Sequence, residues 1–254
     1  VRLHGRAMFD LNIDGGVGRL ILNRPEARNA IPVTGWLDLA ERTEQAERSG
    51  ARLLVVTGTG DAFCAGADIS DFAAMMESEA ARTRFRLAMR EGLDRLRDLP
   101  IPVIAAIQGP CFGAGVALAM ACDLRVSGSS AHFAITPAKF GISYPQEDVH
   151  RLVSLVGRGQ ASRLLFGAGG IDGSEAERIG LVEIHAGDRL AEAVLDIETA
   201  ILANSATSII ALKASIRLAA DGVEHDKEQD RQFESLFGSD ELTGRLANRA
   251  RRGD

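Results

Sequence analysis

The sequence predicts an α/β protein, and three observations carry that reading. The runs at 52–57 (RLLVVT) and 103–107 (VIAAI) are apolar with no polar alternation, as strands covered on both faces require. Each is followed by a turn of small residues and then by a stretch with helical spacing. The resulting order β, α, β, α is that of a sheet with helices laid over it.

Element by element, the chain opens on β-structure. Segments 9–13 and 18–22 flank Asp14-Gly15-Gly16, a hairpin signal with glycines where positive φ is needed. Thr34 is the expected N-cap of a helix whose inner face is Trp36, Leu39, Ala40, Thr43 and Ala46, and Ser49-Gly50 ends it. After the strand at 52–57 comes the Gly58-Thr59-Gly60 turn, then a helix over about 77–97, the strand at 103–107 and a helix over 113–121. Short β-candidates follow at 124–127 and 132–135. Val149, Leu152, Val153 and Val156 then mark a helix that Gly157 should stop, and further helices are expected at 160–166, 174–179, 188–202 and 207–220. The last third is mostly helical, with a charged final segment from Gly222.

Composition narrows the function classes. Lysine plus arginine (29) minus aspartate plus glutamate (35) gives a net charge of −6, so no basic field draws in nucleic acid or an anionic membrane. Residues 99–122 lack any charge, which meets the crude length test for a membrane span. Pro100, Pro102, Gly109, Pro110, Gly113 and Gly115 interrupt that run, and it reads as strand, turn and helix instead. The N-terminal stretch shows no apolar core of a secretory signal. Cys64, Cys111 and Cys122 are odd in number and lack ligand spacing, so neither a disulfide framework nor a zinc site is expected, and a reducing cytoplasm is the default location. The five histidines are scattered without HxxxH-type pairs, so no metal is expected.

Two strand-to-helix turns could hold chemistry: Phe63-Cys64-Ala65-Gly66-Ala67-Asp68 and Gln108-Gly109-Pro110-Cys111-Phe112-Gly113-Ala114-Gly115. Small residues let backbone approach a ligand closely, and two such turns can aim two N–H donors at one oxygen, the arrangement that stabilises an oxyanion. Tight packing is the competing explanation for either turn alone. The glycines at 109, 113 and 115 are ordered GxxxGxG rather than GxGxxG, no GxxxxGK[ST] is present, and no GxSxG exists, so dinucleotide, P-loop and serine-elbow sites are excluded. Asp68 and Asp123 read as caps or loop anchors.

VVTGTGDAFCAGADISDF at 55–72, followed by PIPVIAAIQGPCFGAGVALAMACDLRVSG at 100–128, resembles the enoyl-CoA hydratase/isomerase (crotonase) family. RLILNRPEARNAI at 19–31 and AERIGLVE at 176–183 resemble further stretches of it. The resemblance implies a spiral of ββα units over residues 1–195 and a helical trimerisation region over 196–254, assembled as a homotrimer or a dimer of trimers. It also implies an acyl-CoA thioester as substrate, with coenzyme A entering as part of it and no separate cofactor. The thioester enolate would be held by the amides of Ala67 and Ala114. The coenzyme would lie along Arg28, Asn29 and Ala30 and along Ala65, Gly66 and Ala67.

Two departures follow from the same comparison. The positions where hydratases of the family carry glutamates fall on Ala117 and Pro137, and syn addition of water needs two groups to hold and deprotonate it. Isomerase or decarboxylase (lyase) chemistry fits that pattern better than hydration, and a non-catalytic acyl-CoA-binding or assembly subunit is the alternative. Bulk and charge stand instead in 141–151 (GISYPQEDVHR), where Tyr144, Glu147 and Asp148 are the candidate acid/base groups. Each has a second reading: Glu147 and Asp148 as acidic residues of a helical first turn, and Tyr144 as pocket wall.

Overall fold

The computed structural model describes residues 7–252. The expectation about an N-terminal signal bears in part on residues 1–6, which lie outside the described residues. Phe9–Asp14 (β1) and Val17–Leu22 (β2) form the expected hairpin, with Gly15 and Gly16 at φ 56° and 85°. The later strands are Leu53–Gly58 (β3), Val103–Ile107 (β4), Pro110–Phe112 (β5), Leu124–Gly128 (β6), His132–Ala134 (β7), Ile171–Asp172 (β8) and Ile184–Gly187 (β9). The helices are Val33–Arg48 (α1), Phe72–Glu77 (α2), Glu79–Asp98 (α3), Ala114–Met120 (α4), Gln146–Gly167 (α5), Gly173–Arg178 (α6), Leu190–Ala203 (α7), Ala206–Ala220 (α8), Lys227–Phe237 (α9) and Asp240–Arg252 (α10).

One sheet runs β1-β2-β3-β4-β6-β9, parallel beyond the opening hairpin, and a second runs β5-β7-β8. The turns begun by β4 and β6 each place a long strand in the first sheet, a short strand in the second and then a helix, which gives the ββα units of the spiral. A single parallel bridge between Cys64 and Cys111 adds the first turn to the second sheet. β3 explains why its sequence shows no alternation. Leu54 and Val56 face the core shared with α1, α3 and α4, whereas Leu53 and Val55 pack with Ile104, Ala106, Val126 and Val194 under α7.

Three local expectations change and one holds. α1 starts at Val33, not after Thr34, because the carboxylate of Asp71 accepts from the Val33 amide at 2.8 Å. A cap supplied 38 residues along the chain leaves no local signature. Gly157 interrupts α5 as expected: at φ 72° and ψ 162° it is non-helical, and a second helical segment follows it to Gly167. β5 was expected as plain turn; its three residues gain strand geometry from pairing with β7. The division expected at 195/196 falls inside α7.

The uncharged stretch 99–122 folds into β4, β5 and the buried α4, and among the described residues no single helix is long and apolar enough to cross a membrane. α4 is seated against the turn after β3. A Cβ at Gly115 would lie 2.3 Å from the Cys64 carbonyl oxygen. Gly115→Ala should therefore force the two turns apart and cost about 1–3 kcal/mol, read as a lower urea midpoint at unchanged slope.

Candidate active site

The two glycine-rich turns meet backbone to backbone. The Cys64 amide donates to Pro110 O at 3.0 Å and the Phe112 amide donates to Cys64 O at 2.9 Å. Ala67 bridges Ile31 on the other side, through Ile31 N–H to Gly66 O at 2.8 Å and Asp68 N–H to Ile31 O at 3.0 Å. In a parallel bridge of this pattern the residue whose two neighbours make the bonds, here Ala67, turns its own N–H away from the partner strand. The Ala67 amide is accordingly turned from Ile31 and, like the Ala114 amide at the first position of α4, donates to no protein group among the described residues.

Glycines take the strain at both places. Positive φ falls on Gly66 (109°) and Gly113 (50°), and neither Ala67 nor Ala114 has it, so an alanine at each donor position keeps its N–H without a left-handed penalty. A Cβ on Gly66 would lie 2.8 Å from Phe112 O and 3.4 Å from the Ala114 nitrogen. The two turns are thus as close as backbone allows.

A cavity of about 330 Å³ opens over this junction, lined by Ala65, Gly66 and Ala67 on one side and by Phe112, Gly113 and Ala114 on the other. Its far wall is apolar, with Ile69 and Phe72 from the loop into α2 and Phe85 and Met89 from α3. Sequence reading missed these wall residues. Phe85 and Met89 are an i, i+4 apolar pair on an arginine-rich helix, and that pairing was the available signal. Of the residues lining the cavity, only Lys139, which is exposed, and Tyr144 bear titratable side chains.

Arg28 and Ala30 are brought beside the first turn. The Ala65 amide donates to Arg28 O at 2.9 Å, and Arg24 reaches both Ala30 O and the Asp68 carboxylate at 2.8 Å. The Arg28 side chain is exposed and forms no ion pair among the described residues. Asp68 acts as a cap for Ser70, and Arg24 and Ser70 hold its carboxyl below the usual range against the opposing effect of burial. Asp123 anchors β4 through the Val103 amide and pairs with Lys213 at 2.7 Å.

The three candidate acids of 141–151 separate. Tyr144 lines the cavity, and its hydroxyl donates to Gly113 O at 2.9 Å. Burial first, and then the Asp148 charge, push its phenol well above the ordinary value. Glu147 and Asp148 do not line the cavity. Glu147 is half exposed, stands 3.8 Å from Arg90 and lines a separate cleft against α8. Asp148 is fully buried between Arg90 and Arg151, each 3.3 Å away; burial raises its carboxyl and the two guanidinium groups oppose the rise. The first turn of α5 points both carboxylates toward α3 and α8 rather than toward the amides. Of the other two positions, Pro137 lines the cavity and Ala117 is buried in the core.

No cysteine supplies a nucleophile here. Cys64 and Cys111 lie under the turns, where burial pushes Cys64 up to about 12 and Cys111 well up, so both stay protonated thiols. Among the described residues no group of three His, Cys, Asp or Glu side chains could hold a metal ion.

A ββα spiral with two paired turns under an apolar cavity defines a class of α/β proteins built to present backbone donors. The sequence pattern of the enoyl-CoA hydratase/isomerase family matches residues 12–244, and the chain belongs to that family. The Mycobacterium tuberculosis protein named probable enoyl-CoA hydratase echA6 is 40% identical over 147 residues, 58% of this chain and 58% of that relative, so the match spans under two thirds of it. The solved structure of a putative enoyl-CoA hydratase/isomerase family protein from Hyphomonas neptunium superposes with a TM-score of 0.91 at 33% identity, over 97% of each chain. A putative enoyl-CoA hydratase from Thermobifida fusca, solved in complex with CoA, gives a TM-score of 0.77 at 30% identity, over 96% of this chain and 95% of that one.

The environment of Asp148 yields a stability prediction. Asp148→Ala leaves the Arg90 and Arg151 guanidinium groups paired only with the more exposed Asp94 and, for Arg90, Glu147, and should cost about 1–3 kcal/mol in urea denaturation.

Proposed function

We propose that this protein binds an acyl-CoA thioester with its carbonyl oxygen between the amides of Ala67 and Ala114 and acts on it through the enolate, without carboxylate-assisted addition of water. The observation that carries the reading is the pair of free amides, side by side over a cavity in which no carboxylate stands. Preorganised backbone donors facing a developing oxyanion, in a site poor in water, are strong stabilisers of such a charge. The exposed Arg28 guanidinium beside Ala65–Ala67 suits a phosphate of the coenzyme. The CoA held by the Thermobifida fusca relative supports the ligand class.

Base-free enolate formation fits these residues best. In a malonyl-type thioester, the bond from Cα to the carboxylate breaks, carbon dioxide leaves, and the electron pair moves into the enolate whose oxygen the two amides hold. Solvent water then protonates Cα. Isomerisation needs one base, and hydration needs two groups on one water. The empty cavity wall at Pro137 and the outward turn of Glu147 and Asp148 leave neither supplied.

Turnover assays on crotonyl-CoA, a 3-enoyl-CoA and methylmalonyl-CoA test the assignment. Methylmalonyl-CoA should be consumed, and crotonyl-CoA should not. Rapid hydration of crotonyl-CoA would overturn it. Ala114→Pro removes one donor at a first helical position, where proline is tolerated, and should lower turnover about 10²–10³-fold with the circular dichroism retained. Glu147→Gln should leave turnover within about twofold, since the side chain stands outside the cavity.

The same absence of carboxylates favours a second reading, a non-catalytic acyl-CoA-binding or assembly subunit. Micromolar binding of an acyl-CoA by calorimetry, with no turnover of any of the three thioesters, would select it. For assembly we assign α9 and α10, where Phe233, Phe237 and Leu246 are exposed, to contact between copies in a trimer or dimer of trimers. Sedimentation should then give the mass of at least three chains.

A further inference from the structure

We infer that Tyr144 is a positioning residue for the second amide donor: its hydroxyl holds the Gly113 carbonyl, and through that shared peptide group it orients and polarises the Ala114 N–H. The inference rests on the enolate reading above.

The geometry is specific to one peptide plane. Gly113 C=O and Ala114 N–H belong to the same resonant unit, so a hydrogen bond accepted at the oxygen draws electron density from the nitrogen and leaves its proton more positive. Gly113 O accepts three hydrogen bonds: from the Tyr144 hydroxyl at 2.9 Å, from the Val116 amide at 3.0 Å and from the Ala117 amide at 3.3 Å. The last two come from the first turn of α4 itself. The first crosses from the loop before α5, 31 residues on.

Gly113 has particular need of such a tie. At φ 50° and ψ −114° it occupies a region open to glycine, so the orientation of the peptide after it is not fixed by side-chain sterics. The first donor shows the same device in backbone form. The Ala67 amide belongs to the Gly66–Ala67 peptide, whose carbonyl accepts from Ile31 N–H at 2.8 Å. Each donor peptide thus has its carbonyl held from outside its own segment, one by a main-chain amide and the other by a phenol that adds to the two amides of α4.

Tyr144 is suited to holding rather than to proton transfer. Its one proton is already engaged with Gly113 O, and its buried phenol stays neutral and hence a donor at ordinary pH.

The test reads the bond directly. The carbonyl stretch of 13C-labelled butyryl-CoA, followed by isotope-edited infrared spectroscopy at saturation, should lie lower on the wild-type protein than in water. In Tyr144→Phe, which keeps the ring and leaves Gly113 O with two donors, that red shift should shrink by about 10–30%. Because Tyr144 is the chain's only tyrosine, growth on 3-fluorotyrosine replaces it alone with a more acidic donor and should enlarge the shift. The order phenylalanine, tyrosine, fluorotyrosine supports the inference. Equal shifts in all three overturn it while leaving the enolate reading intact, and no shift on the wild-type protein overturns both.

Discussion

Everything at the site depends on one close approach, the contact of the turn after β3 with the turn after β4. Two hydrogen bonds through Cys64 join them, and the absence of a Cβ at Gly66 and Gly115 lets the carbonyls of Phe112 and Cys64 come within reach. The requirement spreads outward. α4 can start this close to its neighbour because its whole length is small or slender residues, Gly115 to Met120, all buried. The second sheet grows from the same contact, since β5 extends the bridge at Cys64 and β7 and β8 add to β5. A packing rule and a chemical one are satisfied by the same glycines.

Charge is organised around this junction by exclusion. The groups that lie under or against the amides are neutral: the thiols of Cys64 and Cys111 and the phenol of Tyr144 are all held protonated by burial. Ion pairs stand one layer back. Arg24 with Asp68 ties the segment at 24–30 to the first turn, and Arg90, Asp148 and Arg151 lock α3 to α5 behind Tyr144. At the junction itself the dipoles of fixed peptides set the field, with the exposed Lys139 the one cation on the cavity's lining, and fixed dipoles lose little to reorganisation when charge appears.

The sequence made the framework legible because the framework is local. Two unbroken apolar strands, each followed by glycine and alanine, describe β3, β4 and both turns without knowledge of anything distant. The candidate site was legible only as far as the backbone. Ala67 and Ala114 are donors whatever their side chains, so a motif suffices to find them. Glu147 and Asp148 stand outside the cavity in a way no local pattern shows, because both pair with Arg90, 57 and 58 residues earlier on α3. The apolar wall escaped notice for a similar reason, since Phe85 becomes part of a pocket only when α3 packs across from Thr136 and Tyr144. Non-local electrostatics and shape decided what pattern could not.

Asp71 joins two functions that look separate. Its carboxylate caps α1 through Val33, while Ile69 and Phe72 on either side of it form part of the cavity wall. The Ile69–Phe72 edge of the wall is therefore tied to α1 by a charge resting on a helix end, while Phe85 and Met89 are held by packing in the core. Such a joint is softened by salt and firm without it. The breadth of the pocket is in this sense a solution property, set by the medium as well as by the residues that enclose it.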